Sequence, residues 1–274
     1  MAIQITTEQV KELRDATGIS VMQCKRALEE AEGDMKKALA ILKKTSSDIA
    51  QKKLNREVKD GRVSIKMEGL PPARAGGAQA GKKAVLVSLH CETDFVAKNA
   101  DFTTLLDKLT DEAFTKGVEK MKAESKDMIN TIIQKTGENI QLGDVYEISG
   151  STLGTYVHNN KTGEIVSLDG GSPELAKDIA MHITAMKPEY ISQDQIKEED
   201  KKTMLEVFQK EMLSVDKPEE IKKKILDGKM AAYFKERTLL NQVFIKAKDN
   251  VSETVGELLG RNKAKIKEVK MYSI

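Results

Sequence analysis

The chain has 274 residues, 32% of them charged and 39% hydrophobic, which is the composition of a soluble protein with more than one core. The 45 Lys and Arg residues nearly balance 43 Asp and Glu residues, so the formal charge of +2 gives no global field to gather nucleic acid. The N-terminus has no basic start followed by an apolar stretch, and no window has the length of a membrane span. We therefore expect a cytoplasmic protein with no nucleic-acid or membrane partner. The two cysteines, Cys24 and Cys91, are too few for a disulfide framework and are expected to be buried free thiols.

The first 45 residues contain the capping and termination signals of three short helices. Two pairs fit a capping box, in which a hydroxyl caps one amide and a later side chain reaches back: Thr6 with Gln9, and Ser20 with Gln23. Gly18 and Gly33 stand where helices end, and Asp34 can cap the third helix. The apolar residues expected to face inward are Val10, Leu13, Ala16, Met22, Ala27, Leu28, Ala31, Met35, Leu39 and Leu42. The pattern predicts a three-helix bundle similar to a ubiquitin-associated domain over residues 1–45, followed by a polar and possibly helical linker at 46–60.

From residue 61 the spacing of the apolar residues changes from a helical repeat to alternation, and strand and helix patterns then follow one another. This order predicts an α+β core. Val63, Ile65 and Met67 alternate as one strand, and the run from Ala84 to Leu89 predicts a mostly buried second strand, after a mobile hairpin loop at 69–81. The further predicted elements are helices at 95–116 and 118–135, strands within 145–148, 153–158 and 164–168, a helix at 173–186, a helix at 251–259 and a strand at 264–272. They form one subdomain at 61–150 and a second at 151–190 and 239–274.

Residues 191–238 predict two charged helices that fold back as an antiparallel hairpin around a break at 216–218. The apolar seam is narrow, so we expect the hairpin to project from the core. The residues expected to face one another are Ile196, Met204, Phe208, Met212 and Val215 on one side and Ile221, Ile225, Met230 and Phe234 on the other. Self-association through the hairpin or the core is left open.

The chain shows no pattern of an enzyme active site. Residues 76–83 nearly match a phosphate-binding loop, yet Lys83 replaces the hydroxyl that would hold magnesium, and a strand follows where a helix N-terminus is needed. The three histidines lie on different predicted elements without Cys ligands at metal spacing. His90 and Cys91 are adjacent on a strand and point to opposite faces, so they cannot act as base and nucleophile. We expect no direct nucleotide binding, no metal site, no cofactor and no enzymatic activity.

An acid and an aromatic residue stand side by side where the second strand gives way to a helix. Thr93 or Asp94 can cap the first turn, and Phe95 follows. Either Asp94 and Phe95 form a presented tip, or Asp94 only caps and Phe95 packs as a hydrophobic staple. The residues alone favour the staple.

The bundle has its own candidate surface around the turn between its first two helices: Arg14, Val21, Met22 and Lys25. A methionine at a helix start is more often part of the core, whereas an exposed, flexible thioether would suit a partner surface. The residues leave both interpretations open for Met22.

The segment from Thr93 to Asn99 closely resembles the signature of the elongation factor Ts family, the guanine-nucleotide exchange factors of elongation factor Tu. Further resemblances follow in family order: Val10 to Arg14, Thr17 and Gly18, Cys24 to Leu28, Gly33 and Asp34, Gly137 to Ile140, Leu153 to Tyr156 with His158, Ile179 to His182, Lys187 and Pro188, and Leu239 to Gln242 with Phe244 and Ile245. Thr136 and Val243 depart from the family, which often has an apolar residue and a proline there.

The resemblance implies a noncatalytic exchange factor. In this family the tip, here Thr93, Asp94, Phe95 and Val96, pushes between helices near the magnesium site of elongation factor Tu, so that Mg²⁺ is dislodged and GDP leaves. The cation is the largest local charge that holds the phosphates, so its loss frees the nucleotide. The resemblance also implies partner-binding residues at Arg14, Val21, Met22, Lys25, Thr136, Gly137, His158 and Ile245.

Two other functions remain open from the sequence. A ubiquitin-associated-type adaptor would bind a partner without exchange activity, and an RNA-binding accessory to translation would use the lysines. The near-neutral charge, the 4% aromatic content and the absence of Trp argue against RNA. RNA binding needs an excess of positive charge to neutralise the phosphate backbone and aromatic side chains on which bases stack. A nucleotide-release assay separates the exchange factor from the adaptor.

Overall fold

The computed structural model describes residues 5–69, 82–215, 217–246 and 252–274. Its helices are α1 (Thr7–Thr17), α2 (Val21–Glu30), α3 (Met35–Lys53), α4 (Asp94–Ala97), α5 (Ala100–Lys116), α6 (Val118–Thr136), α7 (Pro173–Met186), α8 (Glu198–Met212), α9 (Glu219–Arg237) and α10 (Val255–Arg261). Its strands are β1 (Asp60–Gly69), β2 (Lys82–Cys91), β3 (Ile140–Gly150), β4 (Thr152–His158), β5 (Thr162–Asp169) and β6 (Lys265–Ser273). The α+β class with an N-terminal helical bundle is confirmed. The predicted loop after Gly69, together with Asp216 and Val251, lies outside the described residues.

The bundle packs around one apolar cluster: Val10, Leu13, Ile19, Cys24, Ala27, Leu28, Ala31, Ala38 and Leu42. The expected inward positions of Ala16, Met22 and Leu39 are wrong, because all three are exposed. Ile19 in the turn and Ala38 on α3 fill the interior instead. A bundle of three short helices has room for only a narrow stripe from each one, so periodicity alone assigns too many residues to its core.

The predicted capping box of α1 is confirmed, whereas at α2 only one of the two predicted bonds of the box is present. Thr6 N donates to Gln9 Oε1 at 3.0 Å while Gln9 N donates to Thr6 Oγ1, which completes the box. Ser20 Oγ accepts from Gln23 N but also lies 2.9 Å from Gln23 Oε1, so the glutamine meets the hydroxyl rather than the backbone of Ser20. Asp34 caps α3 as predicted.

The helix α3 continues to Lys53, past the predicted end of the bundle at residue 45, and packs along α6. Ser46 donates to Gln134 Oε1, and Asn130 Nδ2 donates to Ser47 Oγ at 3.1 Å. Ile49 then packs against the core. The first half of the predicted linker is therefore a helix that fixes the bundle on the core, because its polar residues bond to α6.

Two three-stranded antiparallel sheets form the core, with strand orders β1-β2-β3 and β4-β5-β6. They pack face to face through Ala84, Leu86, Ile148, Leu153 and Ile165. The helices α5 and α6 cover the other face of the first sheet, and α7 and α10 cover that of the second. Strand β2 is thus buried on both faces, which is why its sequence is a continuous apolar run.

Close packing of α7 on β4 fixes the second half of the core. A Cβ on Gly154 would overlap the backbone of Ala176 and Lys177, so only glycine allows this approach. Ser172 caps α7 by accepting from Leu175 N at 3.2 Å. The C-terminal end of α7 lies beside the β4–β5 hairpin, where Ala185 and His158 line one cavity.

The predicted helix at 95–116 is interrupted at Lys98 and Asn99. Asn99 has extended backbone angles, and its Oδ1 accepts from Asp101 N at 2.8 Å, which starts α5 as a new helix. Asparagine favours such caps over a helix interior because its side chain competes for the backbone amides. The interruption separates the short α4 from the packed helix α5.

The helices α8 and α9 form the predicted antiparallel hairpin. Lys229 Nζ lies 2.6 Å from Glu211 Oε2, and the rings of Phe208 and Tyr233 meet edge to face at 5.8 Å. Three residues differ from the predicted seam. Ile221 is exposed, and Ile196 and Val215 lie before and after α8 and so are not on the helix.

In the part of the chain that the structure describes, no helix combines the length and the apolar character needed to cross a membrane.

Candidate functional site

The tip, defined as Thr93 to Val96, presents an exposed aromatic ring. Phe95 is 81% exposed, whereas its neighbour Val96 packs against the core. Thr93 caps the turn, accepting from Val96 N at 3.4 Å, and Asp94 Oδ2 pairs with Lys98 Nζ at 2.7 Å. The staple interpretation is therefore wrong, because Phe95 does not pack in the core and Asp94 does not cap. A ring held in water gains no free energy from burial in its own chain and is suited to insertion into a partner.

The tip is held from beneath at Thr93. Glu138 accepts from Thr93 N at 3.0 Å and from Thr93 Oγ1 at 2.6 Å. The Cys91 thiol donates to Thr93 O at 3.1 Å, and burial raises the pKa of this thiol to about 12, so the sulfur keeps its proton. Glu138 was not among the predicted site residues. The only sequence signal for it was its place in the family-like segment from Gly137 to Ile140.

The C-terminal end of α6 connects the tip to the bundle. Gly137 ends α6 with a φ of 79°, beside the half-buried Thr136, and its carbonyl accepts from Lys53 of α3. Lys135 lies against Gly18 in the turn between α1 and α2, where any Cβ would overlap the lysine ammonium group. The structure therefore brings the predicted Thr136 and Gly137 next to the tip, and the bundle next to the same helix end.

The predicted bundle surface is exposed throughout. Val21 and Met22, the first two residues of α2, are 51% and 63% exposed. Arg14 and Lys25 are also exposed, and Lys25 forms a 3.8 Å ion pair with Glu29 of its own helix. Met22 is therefore a surface residue. An apolar pair accompanied by two basic side chains is the kind of surface that can meet an acidic and apolar patch on another protein.

The predicted His158 and Ile245 lie together in the second half of the core. They line a cavity of about 390 Å³ whose walls are Tyr156, His158, Thr162, Met181, Thr184, Ala185, Lys187 and Ile245. His158 Nδ1 lies 3.1 Å from Tyr156 OH, and Asn159 Nδ2 lies 3.2 Å from His158 Nε2. The ring is thus oriented by its neighbours while the residue stays exposed.

A buried histidine holds Ile245 in place. Ile245 N donates to His182 Nδ1 at 3.3 Å, and His182 Nε2 lies 2.9 Å from Gln242 Oε1. Burial lowers the pKa of His182, so the ring is neutral, with its proton on Nε2 facing the amide oxygen. The sequence predicts no partner for this histidine, because both contacts come from a distant part of the chain.

The remaining sequence candidates have structural partners. Lys83 pairs with Glu147 at 3.0 Å, and the rest of the phosphate-loop-like segment, except Lys82, lies outside the described residues. His90 Nε2 lies 2.7 Å from Tyr272 OH, whereas Cys91 packs beneath α5 on the opposite face, as predicted. Both cysteines are free and buried, also as predicted. Within residues 5–69, 82–215, 217–246 and 252–274, no group of three or more His, Cys, Asp and Glu side chains could hold a metal ion.

Comparison with known proteins gives consistent matches along the chain. The family model described as Elongation factor TS matches residues 92–274. Elongation factor Ts of Hahella chejuensis is 35% identical over 275 aligned residues, covering 98% of this chain and 92% of the relative. The protein of the same name from Deinococcus deserti is 36% identical, with coverages of 92% and 94%, and that from Sodalis glossinidius is 36% identical, with coverages of 96% and 88%. The chain therefore belongs to the elongation factor Ts family and is a translation elongation factor.

Proposed function

We propose that this protein binds elongation factor Tu in its GDP-bound form and promotes the release of GDP without catalysing a reaction of its own. The observation that carries the proposal is Phe95, a phenylalanine 81% exposed on an anchored turn. Its ring enters the partner between helices near the magnesium site, and Asp94 disturbs the surroundings of Mg²⁺. Loss of the cation removes the main charge that retains the diphosphate. The proposal implies a cytoplasmic location.

Asp94 is free to act in this way at small cost. Its ion pair with Lys98 joins neighbouring turns, and both side chains are reached by water, with Lys98 69% and Asp94 46% exposed. Pairs of this kind typically contribute about 0.5 kcal/mol or less. Docking can therefore release the carboxylate from Lys98 toward the partner.

The bundle supplies much of the affinity in this proposal. Val21 and Met22 contact the GTPase domain of the partner, while Thr136, Gly137, His158 and Ile245 contact it elsewhere. Because α3 is bonded to α6, the bundle and the tip already have a fixed relation before binding. A second contact on one rigid body raises the effective concentration of the tip at its target, and less conformational freedom is lost on binding.

Release of a fluorescent GDP from elongation factor Tu, with and without this protein, tests the proposal. Acceleration at concentrations well below that of the GTPase would show turnover, as an exchange factor requires. Binding without acceleration would instead support the adaptor function. The protein alone is expected to give no binding heat with GDP or GTP in calorimetry.

Replacing Val21 and Met22 together by alanine is expected to weaken binding to elongation factor Tu about tenfold or more. Truncation of central apolar contacts at interfaces commonly costs about 1–2 kcal/mol or more. The melting temperature should stay within about 2 °C of the parent, because both side chains already face water. Titration calorimetry with the GDP-bound partner measures the change.

Leu39→Ala is the matched control, since Leu39 is also an exposed apolar residue of the bundle but lies on α3. It should bind as the parent does. Equal affinity of the Val21 and Met22 double variant and the parent would exclude this surface from the interface. The double variant is a sharper test than deletion of residues 1–45, because that deletion would cut through α3.

A further inference from the structure

Two glutamates link the tip to the segment that follows α6 by hydrogen bonds. Glu138 accepts two hydrogen bonds from Thr93, at 3.0 Å from N and 2.6 Å from Oγ1. Glu92, which immediately precedes Thr93, accepts from Asn139 N at 2.6 Å. Each carboxylate therefore bonds the backbone next to the other. Bonds from neutral donors to a carboxylate are among the stronger hydrogen bonds in proteins.

Of the two, Glu138 has the more direct hold on the tip. Its two oxygens receive both the amide and the hydroxyl hydrogen of Thr93, whereas Glu92 is shared between Asn139 and Arg56. The Thr93 hydroxyl donates its single hydrogen to Glu138 and accepts from Val96 N, so one side chain fixes both ends of the turn. Phe95 lies within this turn and is itself mostly in water.

We propose that Glu138 is a positioning residue for nucleotide exchange, which holds Thr93 so that the tip has one conformation before the partner arrives. A ring that must enter a pocket is more effective when its backbone is already ordered, because less conformational entropy is lost when the ring inserts within the bound complex. The consequence for exchange rests on the proposed function above. The holding of the tip is a property of this chain alone and can be tested without a partner.

The chain contains its own reporter of tip opening. Cys91 is buried beneath the tip and bonds to Thr93 O, while Cys24, the other cysteine, lies in the bundle core. A buried thiol reacts with a reagent such as DTNB only through local opening, so its labelling rate follows the population of the open state. Glu138→Ala should raise the labelling rate of Cys91 about tenfold or more, because it removes two bonds to a charged acceptor. The rate of Cys24, identified by peptide mass, should not change.

Two further variants bracket the expected effect. Glu138→Gln keeps the shape and one strong acceptor oxygen, so the labelling rate of Cys91 should lie between those of the parent and the alanine variant. Glu119→Ala removes a glutamate that is 91% exposed near the other end of α6 and should leave both thiols unchanged.

Exchange assays test the consequence for function. With Glu138→Ala, the maximal rate of stimulated GDP release at saturating protein should fall about tenfold, while the half-saturating concentration changes less than about twofold, since the bundle surface is intact. A role of Glu138 in stability alone would lower the fraction folded and leave the rate per folded molecule unchanged. Glu138→Gln should restore part of the maximal rate.

The outcomes separate the two proposals. An unchanged labelling rate of Cys91 would overturn the hold of Glu138 on the tip, whatever happens in exchange. Faster labelling with an unchanged maximal rate would overturn the positioning role. If the parent protein did not accelerate GDP release at all, the proposed function would fail, while the labelling result would still decide whether Glu138 holds the tip.

Discussion

Replacement of Phe95 by alanine is expected to slow the stimulated release of GDP about tenfold or more at limiting protein concentration. An aromatic anchor that is fully desolvated at the centre of an interface is worth about 2 kcal/mol or more. The ring contributes little to the fold, because it is 81% exposed. The melting temperature of the variant should therefore remain within about 2 °C of the parent value. Stopped-flow release of fluorescent GDP and thermal melting measure the two quantities.

Phe102 supplies a matched control on the next helix. Its side chain is fully buried in the cluster between α5, α6 and β2. Phe102→Ala should cost about 3–5 kcal/mol of stability, with exchange per folded molecule retained. The two phenylalanines thus have opposite expected signatures. If Phe95→Ala behaved like Phe102→Ala, with a large drop in melting temperature and unchanged exchange, the insertion of the ring would be rejected.

Sequence pattern was most reliable where local chemistry decides the structure. The apolar run from Ala84 to Leu89 is a strand buried on both faces, and Thr6 and Asp34 cap the helices that they were expected to cap. These features depend on residues within a few positions of one another. They needed no knowledge of the distant chain.

Predictions were less reliable where distant partners decide the structure. Ser46 and Ser47 are polar and indicated a linker, but they bond to Gln134 and Asn130 on α6, so the segment is a packed helix. Local pattern does not reveal such a partner. Met22 is the converse case, an apolar residue with helical periodicity for which the small bundle has no interior space.

The tip shows both limits in one place. Local sequence fits a staple as well as a presented ring, because both use a hydroxyl cap followed by an apolar residue. The local pattern does not contain the contacts that hold the tip, above all the bond from Thr93 to Glu138, which follows the end of α6. The pairing of His158 with Ile245 around one cavity likewise depends on the close approach of α7 to β4. The family resemblance indicated these residues, whereas the fold provides the reason for their proximity.

A buried acid in the second sheet is expected to make the stability of this protein depend on pH. Glu164 on β5 is fully buried. Neither of its carboxyl oxygens has a hydrogen-bond partner within the described chain. The nearby Thr184 hydroxyl donates its hydrogen to Ala180 O at 3.0 Å, so toward Glu164 it can only accept. A protonated carboxyl suits these surroundings, and burial raises the pKa of Glu164 from 4.5 to about 7.

The raised pKa means that the folded state binds the proton of Glu164 more tightly than the unfolded state does. The free energy of unfolding should therefore fall as pH rises from about 4.5 to about 7, and stay lower above that range. The difference between the two pKa values corresponds to about 3 kcal/mol. Glu164→Gln, which cannot ionise, should match the parent near pH 4.5 and exceed its stability by about 2–3 kcal/mol at pH 8.5. Urea unfolding at the two pH values measures this difference.

Glu119→Gln, a change at a carboxylate 91% exposed, should leave the pH dependence of the parent intact. A Glu164→Gln variant with the same pH dependence as the parent would show that the carboxyl group gains a partner or water on ionisation.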